Sequence, residues 1–134
     1  MAASQGATNL TGVWQGLYSY AGAGDHTPFT ATLLEIGSHF SGSTHETTLV
    51  EGRARATLFA LMDGTRSGNA IAFVKTYDGS AGWDHSVAYD GAINGDGTEI
   101  EGTWRVRGGA AGRFLMTRPA GKATSVKRRA MAKA

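Results

Sequence analysis

The sequence contains no cysteine, which excludes a disulfide framework, a thiolate zinc site and a thiol nucleophile. It also lacks any apolar run that approaches the ~18 residues of a transmembrane helix. Its start, MAASQGATNL, has neither the basic region nor the apolar stretch of a signal peptide. We therefore expect a soluble, cytoplasmic protein that does not interact with membranes.

Basic residues are concentrated at the C-terminal end of the chain. The chain has 13 Lys and Arg against 11 Asp and Glu, but five of the basic residues follow Gly121. The preceding part is therefore mildly acidic. No aromatic or Gly-rich nucleic-acid motif accompanies the basic end. We interpret 119–134 as a flexible, solvated tail and expect no nucleic-acid partner.

The hydrophobic pattern is that of β-strands along nearly the whole chain, with turns at Gly-rich breaks such as Met62-Asp63-Gly64. It predicts eight strands, at Gly12–Tyr20, Phe29–Ile36, His39–Thr47, Arg53–Met62, Asn69–Tyr77, His85–Ile93, Glu99–Val106 and Gly112–Thr117. The composition of Arg53–Met62 also suits a short helix, but strands flank it and no helix N-cap precedes it. The 134 residues fit one domain, which we place at 10–118 after a flexible N-terminus at 1–9.

Eight strands joined by short turns, with no helix to cover a sheet face, must bury their apolar sides against one another. An antiparallel up-and-down β-barrel does this and leaves no unpaired edge. A sandwich of the same strands is the alternative. Glycines inside strands, at Gly16, Gly42, Gly91 and Gly102 among others, favour the barrel because they let strands bend and coil sharply.

Five strand motifs follow one another along the chain, namely Leu10-Thr11-Gly12-Val13-Trp14, Phe40-Ser41-Gly42-Ser43, Phe73-Val74-Lys75, His85-Ser86-Val87-Ala88-Tyr89-Asp90-Gly91 and Gly102-Thr103-Trp104. Their order resembles that of the strand motifs in avidin and streptavidin. The early Gly-x-Trp is also similar to that of lipocalin-type barrels. The resemblance implies an up-and-down barrel that holds a small molecule and that can form a homo-oligomer through its outer faces.

The residues that contact biotin in avidins are not retained. Gly16 and Tyr20 stand where the resemblance would place polar contacts on the first strand, and Thr44 and Glu46 stand at the corresponding places on the third. An acid at Glu46 does not suit a neutral ureido ring. We therefore expect a ligand other than biotin.

Side chains alternate across a strand, so an inward Trp14 implies that Tyr18 and Tyr20 also face the barrel interior. Applied to the other strands, this alternation gives a largely aromatic wall with a few polar groups, as in small-molecule pockets. The candidate ligand-binding residues are Tyr18, Tyr20, Thr44, Phe73, Tyr77, Tyr89, Trp104, Phe114 and Met116. The facing of Arg53–Met62 and Asn69–Tyr77 stays open, because a slip of one residue would replace Lys75 by Val74 in the interior.

Two functions of different classes fit this interior. The first is binding of one small, largely apolar or aromatic molecule. The second is a cofactor-independent isomerase, cyclase or lyase, in which Glu46 or His85 moves a proton and Lys75 stabilises developing negative charge. A scaffold with a filled interior is a third possibility.

Metal and cofactor chemistry find no support in the sequence. The four histidines are dispersed without HxH or HExxH spacing, so we predict no metal site. No Gly-x-Ser-x-Gly elbow is present, and the Gly-rich turns have no helix behind them to bind a phosphate. We predict no cofactor.

Overall fold

The computed structural model describes residues 9–50, 54–79 and 84–119. Within these residues the chain forms eight strands: β1 (Gly12–Tyr20), β2 (Thr27–Ile36), β3 (His39–Val50), β4 (Ala54–Ser67), β5 (Ala70–Tyr77), β6 (Ser86–Ile93), β7 (Glu99–Arg105) and β8 (Ala111–Thr117). The expectations for nearly all of the N-terminus at 1–9 and of the basic tail at 119–134 lie outside the described residues.

The strands form one closed antiparallel barrel in sequence order. The closing pair is β1 with β8, in which Tyr18 lies opposite Phe114. The predicted up-and-down barrel is therefore confirmed over the sandwich. Most of the segment that also suited a short helix lies in β4, so the strand prediction is confirmed there too.

The predicted turn at Met62-Asp63-Gly64 is wrong. Strand β4 continues to Ser67, and the chain turns at Gly68, which has φ of +62°. Gly64 lies inside the strand, where a Cβ would come within 2.6 Å of the Phe40 ring, the Phe73 Cβ and the Ala72 carbonyl oxygen. The glycine thus makes room for aromatic packing.

Burial alternates along the strands as the period of two requires. On β5, Lys75 is buried and Val74 is 45% exposed, which settles the facing that the sequence left open. On β4, Leu58, Ala60 and Met62 face inward. Tyr20 departs from the pattern and is 44% exposed, because it is the last residue of β1, at the open end of the barrel.

The opposite end of the barrel is closed by the segment that precedes β1. The indole Nε1 of Trp14 donates to the Leu10 carbonyl at 2.9 Å, and the Leu10 amide donates to Glu35 Oε1 at 2.8 Å. Arg66 pairs with the same carboxylate at 3.1 Å, and the Arg118 guanidinium lies 4.3 Å from the Trp14 ring centroid. We call this the closed end; the end that carries Tyr20 is the mouth.

Close contact between β6 and β7 depends on a glycine. A Cβ on Gly102 would collide with the Asp90 carbonyl oxygen and lie 2.5 Å from the Gly91 Cα. The two glycines face each other across the strand pair. Backbone atoms cannot move aside as the end of a flexible side chain can, so only glycine fits here.

We expect Gly102→Ala to destabilise the barrel by about 3 kcal/mol or more, because overpacking of this kind forces backbone shifts. Gly95→Ala is the matched control, since a Cβ at Gly95 meets no atom within 4 Å and its φ is not positive. Urea unfolding of the two variants measures the difference. Equal stabilities would contradict the close approach of β6 and β7.

Candidate functional site

Four polar side chains from three strands meet inside the mouth half of the barrel. Tyr18 Oη donates to Glu46 Oε2 at 2.6 Å, and Tyr77 Oη donates to Glu46 Oε1 at 2.9 Å. Lys75 Nζ lies 3.3 Å from the same Oε1 atom. Both carboxylate oxygens thus accept hydrogen bonds. We call these four residues the Glu46 cluster.

Lys75 enters the cluster through a cage of aromatic rings. Its Nζ lies 4.9 Å from the ring centroids of Phe29 and Tyr77, 5.1 Å from that of Tyr18 and 5.5 Å from that of Tyr89. The exposed fraction is 1% for Lys75 and 2% for Glu46. An ammonium over ring faces gains cation–π attraction, which adds to its attraction to the carboxylate.

Burial governs the titration of these groups. Desolvation lowers the pKa of Lys75, while the nearby Glu46 carboxylate opposes that shift. Desolvation raises the pKa of Tyr18, Tyr77 and Tyr89 well above the ordinary value of a phenol, and Glu46 reinforces the shift in each case. The three tyrosines are therefore neutral hydrogen-bond donors at any physiological pH.

A small cavity opens at the mouth above the Glu46 cluster. The space that the centre of a water-sized sphere can reach there is about 20 Å³, and the whole space, open solvent included, is about 260 Å³. We call it the mouth cavity; it is lined by Tyr18, Tyr20, Tyr77, His85, Val87, Tyr89, Trp104 and Val106. Five of the predicted ligand-binding residues, namely Tyr18, Tyr20, Tyr77, Tyr89 and Trp104, come together in this lining.

The polar groups of the lining differ in how they are bonded. Trp104 Nε1 donates to the carbonyls of Ser19 and Arg113, at 3.1 and 3.2 Å, so the indole is held in place from behind. The Tyr89 hydroxyl makes no hydrogen bond to any part of the chain that the structure describes. A neutral phenol with a spare donor therefore faces the cavity.

The other four predicted ligand-binding residues lie in the packed interior, outside the lining of the mouth cavity. Phe73 stacks on Tyr89 at 4.5 Å, and Phe114 meets Tyr89 edge to face at 5.0 Å. Met116 is fully buried. Thr44 is buried too, and its hydroxyl finds no hydrogen-bond partner within the described segments.

The three residues that the sequence suggested for acid–base chemistry divide into two groups. Glu46 and Lys75 form one buried pair. His85 is exposed at the rim, with its ring 4.9 Å from the Tyr77 ring. Tyr77 therefore stands between the histidine and the carboxylate, because its ring contacts His85 while its hydroxyl binds Glu46.

Sequence reasoning missed Phe29 as part of the lysine cage. Its signal was available, since Phe29, Ala31 and Leu33 alternate with polar residues along the second predicted strand. The Glu35–Arg66 pair at the closed end was also missed. The same alternation places Glu35 on the inward face after Leu33, but it gives no sign that Arg66, from another strand, is its partner.

The described segments offer no group of three His, Asp or Glu side chains that could hold a metal ion. Within the same segments, no helix is long and apolar enough to span a membrane.

Comparison with known proteins supports the architecture. No family model and no curated protein matches the chain. Among solved structures, a redesigned β-barrel is similar, with a TM-score of 0.66 and 14% sequence identity over 81% of this chain and 90% of that one. At such low identity the likeness shows the fold alone: an eight-stranded antiparallel β-barrel, compatible with small-molecule binding.

We expect Glu46 and Lys75 to be strongly coupled in stability. Removing one partner of a buried ion pair leaves the other charge uncompensated, at a cost of about 3–5 kcal/mol. Glu46→Gln and Lys75→Met should each destabilise strongly, while the double variant costs less than the sum of the two by about 2 kcal/mol or more. Urea unfolding measures all three variants.

The Asp90–Arg105 pair is the matched control. Its atoms are 3.1 Å apart, but its side chains are 57% and 65% exposed. Exposed ion pairs couple by about 1 kcal/mol or less. The destabilisations caused by Asp90→Asn and Arg105→Met should therefore nearly add up in the double variant. Equal coupling in the two pairs would contradict our view of the buried one.

We expect stability to fall as the pH rises above 10.0, the ordinary pKa of tyrosine. Tyrosines of the unfolded chain then ionise, while Tyr18, Tyr77 and Tyr89 keep their protons in the fold, so each contributes a loss of about 1.4 kcal/mol per pH unit. Lys75 acts in the opposite sense, but only below its ordinary value of 10.5. Urea unfolding over an alkaline pH series measures the slope.

Tyr89→Phe removes one of these groups without breaking a hydrogen bond. Its alkaline slope should be shallower by about 1.4 kcal/mol per pH unit. An unchanged slope would show that Tyr89 ionises in the folded protein as readily as in the unfolded chain.

Proposed function

We propose that the protein binds a small, neutral molecule with one aromatic ring or an apolar body of similar size in the mouth cavity. The observation that carries this proposal is the Tyr89 hydroxyl, which has no hydrogen-bond partner among the described residues and belongs to an aromatic lining. Apolar walls with a few placed polar groups are the usual composition of a small-molecule pocket. The avidin-like and lipocalin-like order of strand motifs supports the same function.

The size of the ligand follows from the space at the mouth. Drug-sized ligands occupy pockets of ~300–1,000 Å³. The comparable volume of the mouth cavity is about 20 Å³, which holds roughly one water, and about 260 Å³ is reached only when open solvent is counted. A one-ring compound therefore suits the site better than a fused polycyclic one, and most of it lies at the rim beside Tyr20 and His85.

The charge of the ligand follows from the groups below the cavity. The Glu46 carboxylate helps to raise the pKa of Tyr20 and Tyr89, so its field at the cavity disfavours added negative charge. The spare Tyr89 hydroxyl offers a donor. A neutral ligand with a carbonyl or other acceptor oxygen satisfies both conditions.

Catalysis in the same cavity is the second candidate. The observation that favours it is the position of Tyr18 and Tyr77, which line the cavity and donate to Glu46 from it. A proton can pass along such a bond between a bound molecule and the buried carboxylate. Proton exchange at an activated carbon of a bound ligand, followed by NMR in deuterated water, distinguishes an enzyme from a binding protein.

Benzamide is a suitable probe of binding, because it is neutral, has one ring and carries an acceptor oxygen. We expect saturable binding, detected by calorimetry, that Tyr89→Phe weakens by about 1 kcal/mol, the contribution of a typical neutral hydrogen bond. Benzoate should bind less well than benzamide because of its charge. Tyr20→Ala should also weaken binding by removing part of the wall.

Phe59→Ala provides the matched control, since Phe59 is an exposed aromatic residue on the outer face. Its affinity for benzamide should equal that of the native protein. Binding that is lost in Phe59→Ala, or that is the same in Tyr89→Phe and Tyr20→Ala as in the native protein, would place the ligand elsewhere and refute the proposal.

A further inference from the structure

We propose that Lys75 is an amine nucleophile that forms an imine with small aldehydes or ketones entering through the mouth cavity. This inference rests on the proposed function, because it assigns a substrate class, carbonyl compounds, to the same cavity. It gives the buried lysine a covalent role that neither noncovalent binding nor proton transfer by Glu46 requires.

The first argument is the position of the amine beneath the cavity. Three of the four rings that surround Lys75 Nζ, those of Tyr18, Tyr77 and Tyr89, also line the mouth cavity. Nζ therefore lies behind rings that form part of the cavity wall. A lysine side chain has four rotatable bonds, and the proposal requires Nζ to move between the Tyr77 and Tyr89 rings to reach a bound carbonyl carbon.

The second argument is the group that can accept the ammonium proton. Glu46 Oε1 lies 3.3 Å from Lys75 Nζ, so it can receive that proton and leave a neutral amine. The aromatic cage withholds water from the amine, and this desolvation lowers the pKa of Lys75, which favours the reactive form.

Lys75 and Glu46 together provide the nucleophile and the proton transfers that imine formation needs. After the proton moves to Glu46, the Nζ lone pair attacks the carbonyl carbon, a C–N bond forms, and the C=O π pair moves to oxygen. Nζ loses a proton and the oxygen gains one, which gives a carbinolamine while Glu46 stays protonated. Glu46 then protonates the hydroxyl, which leaves as water, and the nitrogen lone pair forms the C=N bond. An iminium cation remains beside the Glu46 carboxylate.

The third argument is a donor for the carbonyl oxygen. As the amine attacks, negative charge develops on that oxygen, and a positioned hydrogen bond stabilises it. The Tyr89 hydroxyl makes no hydrogen bond within the described segments, and its ring lines the cavity 5.5 Å from Nζ. It is the group placed to donate to this oxygen.

The chain has few lysines, so the test can compare Lys75 with each of the others. The chain has four lysines, Lys75, Lys122, Lys127 and Lys133. The native protein is incubated at neutral pH with acetaldehyde or benzaldehyde, reduced with cyanoborohydride, digested and mapped by mass spectrometry. We expect the reduced adduct at Lys75 to exceed that at each of the other three lysines by about 10-fold or more, because a lowered pKa leaves more of the amine in its neutral, reactive form at neutral pH.

Two controls use the native protein, so they do not depend on whether a variant folds. In urea the excess at Lys75 should disappear, because unfolding removes the cage and the neighbouring carboxylate. Saturating benzamide should suppress the native adduct at Lys75 and leave those at the other lysines unchanged, because it occupies the route of entry.

Tyr89→Phe should slow adduct formation at Lys75 alone.

The outcomes separate this inference from the proposed function. If benzamide binds at the mouth but Lys75 is modified no more than the other lysines, the imine proposal is overturned and noncovalent binding stands. If benzamide does not bind and Lys75 is unmodified, both fail. An excess at Lys75 that persists in urea or under saturating benzamide would overturn the route through the mouth cavity.

Discussion

The structure depends on one electrostatic constraint: a carboxylate and an ammonium are enclosed together in an interior that is otherwise aromatic and aliphatic. Taking each ion out of water costs several kcal/mol, which their mutual attraction offsets only when the remaining donors and acceptors are bonded. Here both Glu46 oxygens accept hydrogen bonds, and the ammonium lies among four rings. The placement of Tyr18, Tyr77 and Phe29 follows from that requirement.

The same constraint divides the barrel into two halves with different roles. At the closed end, a second ion pair, Glu35 with Arg66, serves a structural purpose because its carboxylate also accepts the Leu10 amide that plugs the barrel. Toward the mouth, the Glu46–Lys75 pair is buried even more fully than the pair at the closed end. Its link to the mouth cavity is through Tyr18 and Tyr77, which line the cavity and donate to Glu46.

The fold could be predicted from the sequence because its determinants are local. Alternation and Gly-rich turns specified eight strands, and the absence of helices to cover a sheet led to closure. The turn predicted at Met62-Asp63-Gly64 was wrong for a nonlocal reason. Glycine is a typical turn residue, but Phe40 and Phe73, on the two neighbouring strands, require a glycine at Gly64 within the strand. No pattern within β4 contains that information.

The site was only partly predictable for a related reason. Alternation indicated that Tyr18, Glu46, Tyr77 and Tyr89 face inward, but it could not give their heights along the barrel axis. Height depends on the stagger between strands, and it separates the lining of the mouth cavity from Phe73, Phe114 and Met116, which fill the space below. The facing of Lys75 needed the register of β5 against its neighbours, since Val74 is the more usual residue to bury.

The burial of Lys75 also argues against a purely structural interior. A methionine or leucine at this position could pack against Phe29 and the tyrosines without the cost of burying an ion, and replacing buried ion pairs by apolar residues is often neutral or stabilising. With no cation or acid, Tyr18 and Tyr77 could be phenylalanines. The chain instead holds an acid, an amine and two phenols in contact, and Tyr89 adds a third phenol at the cavity wall, whose hydroxyl has no hydrogen-bond partner in the described part of the chain. Stability alone does not require that combination, whereas the proposed imine chemistry gives roles to Lys75, Glu46 and Tyr89.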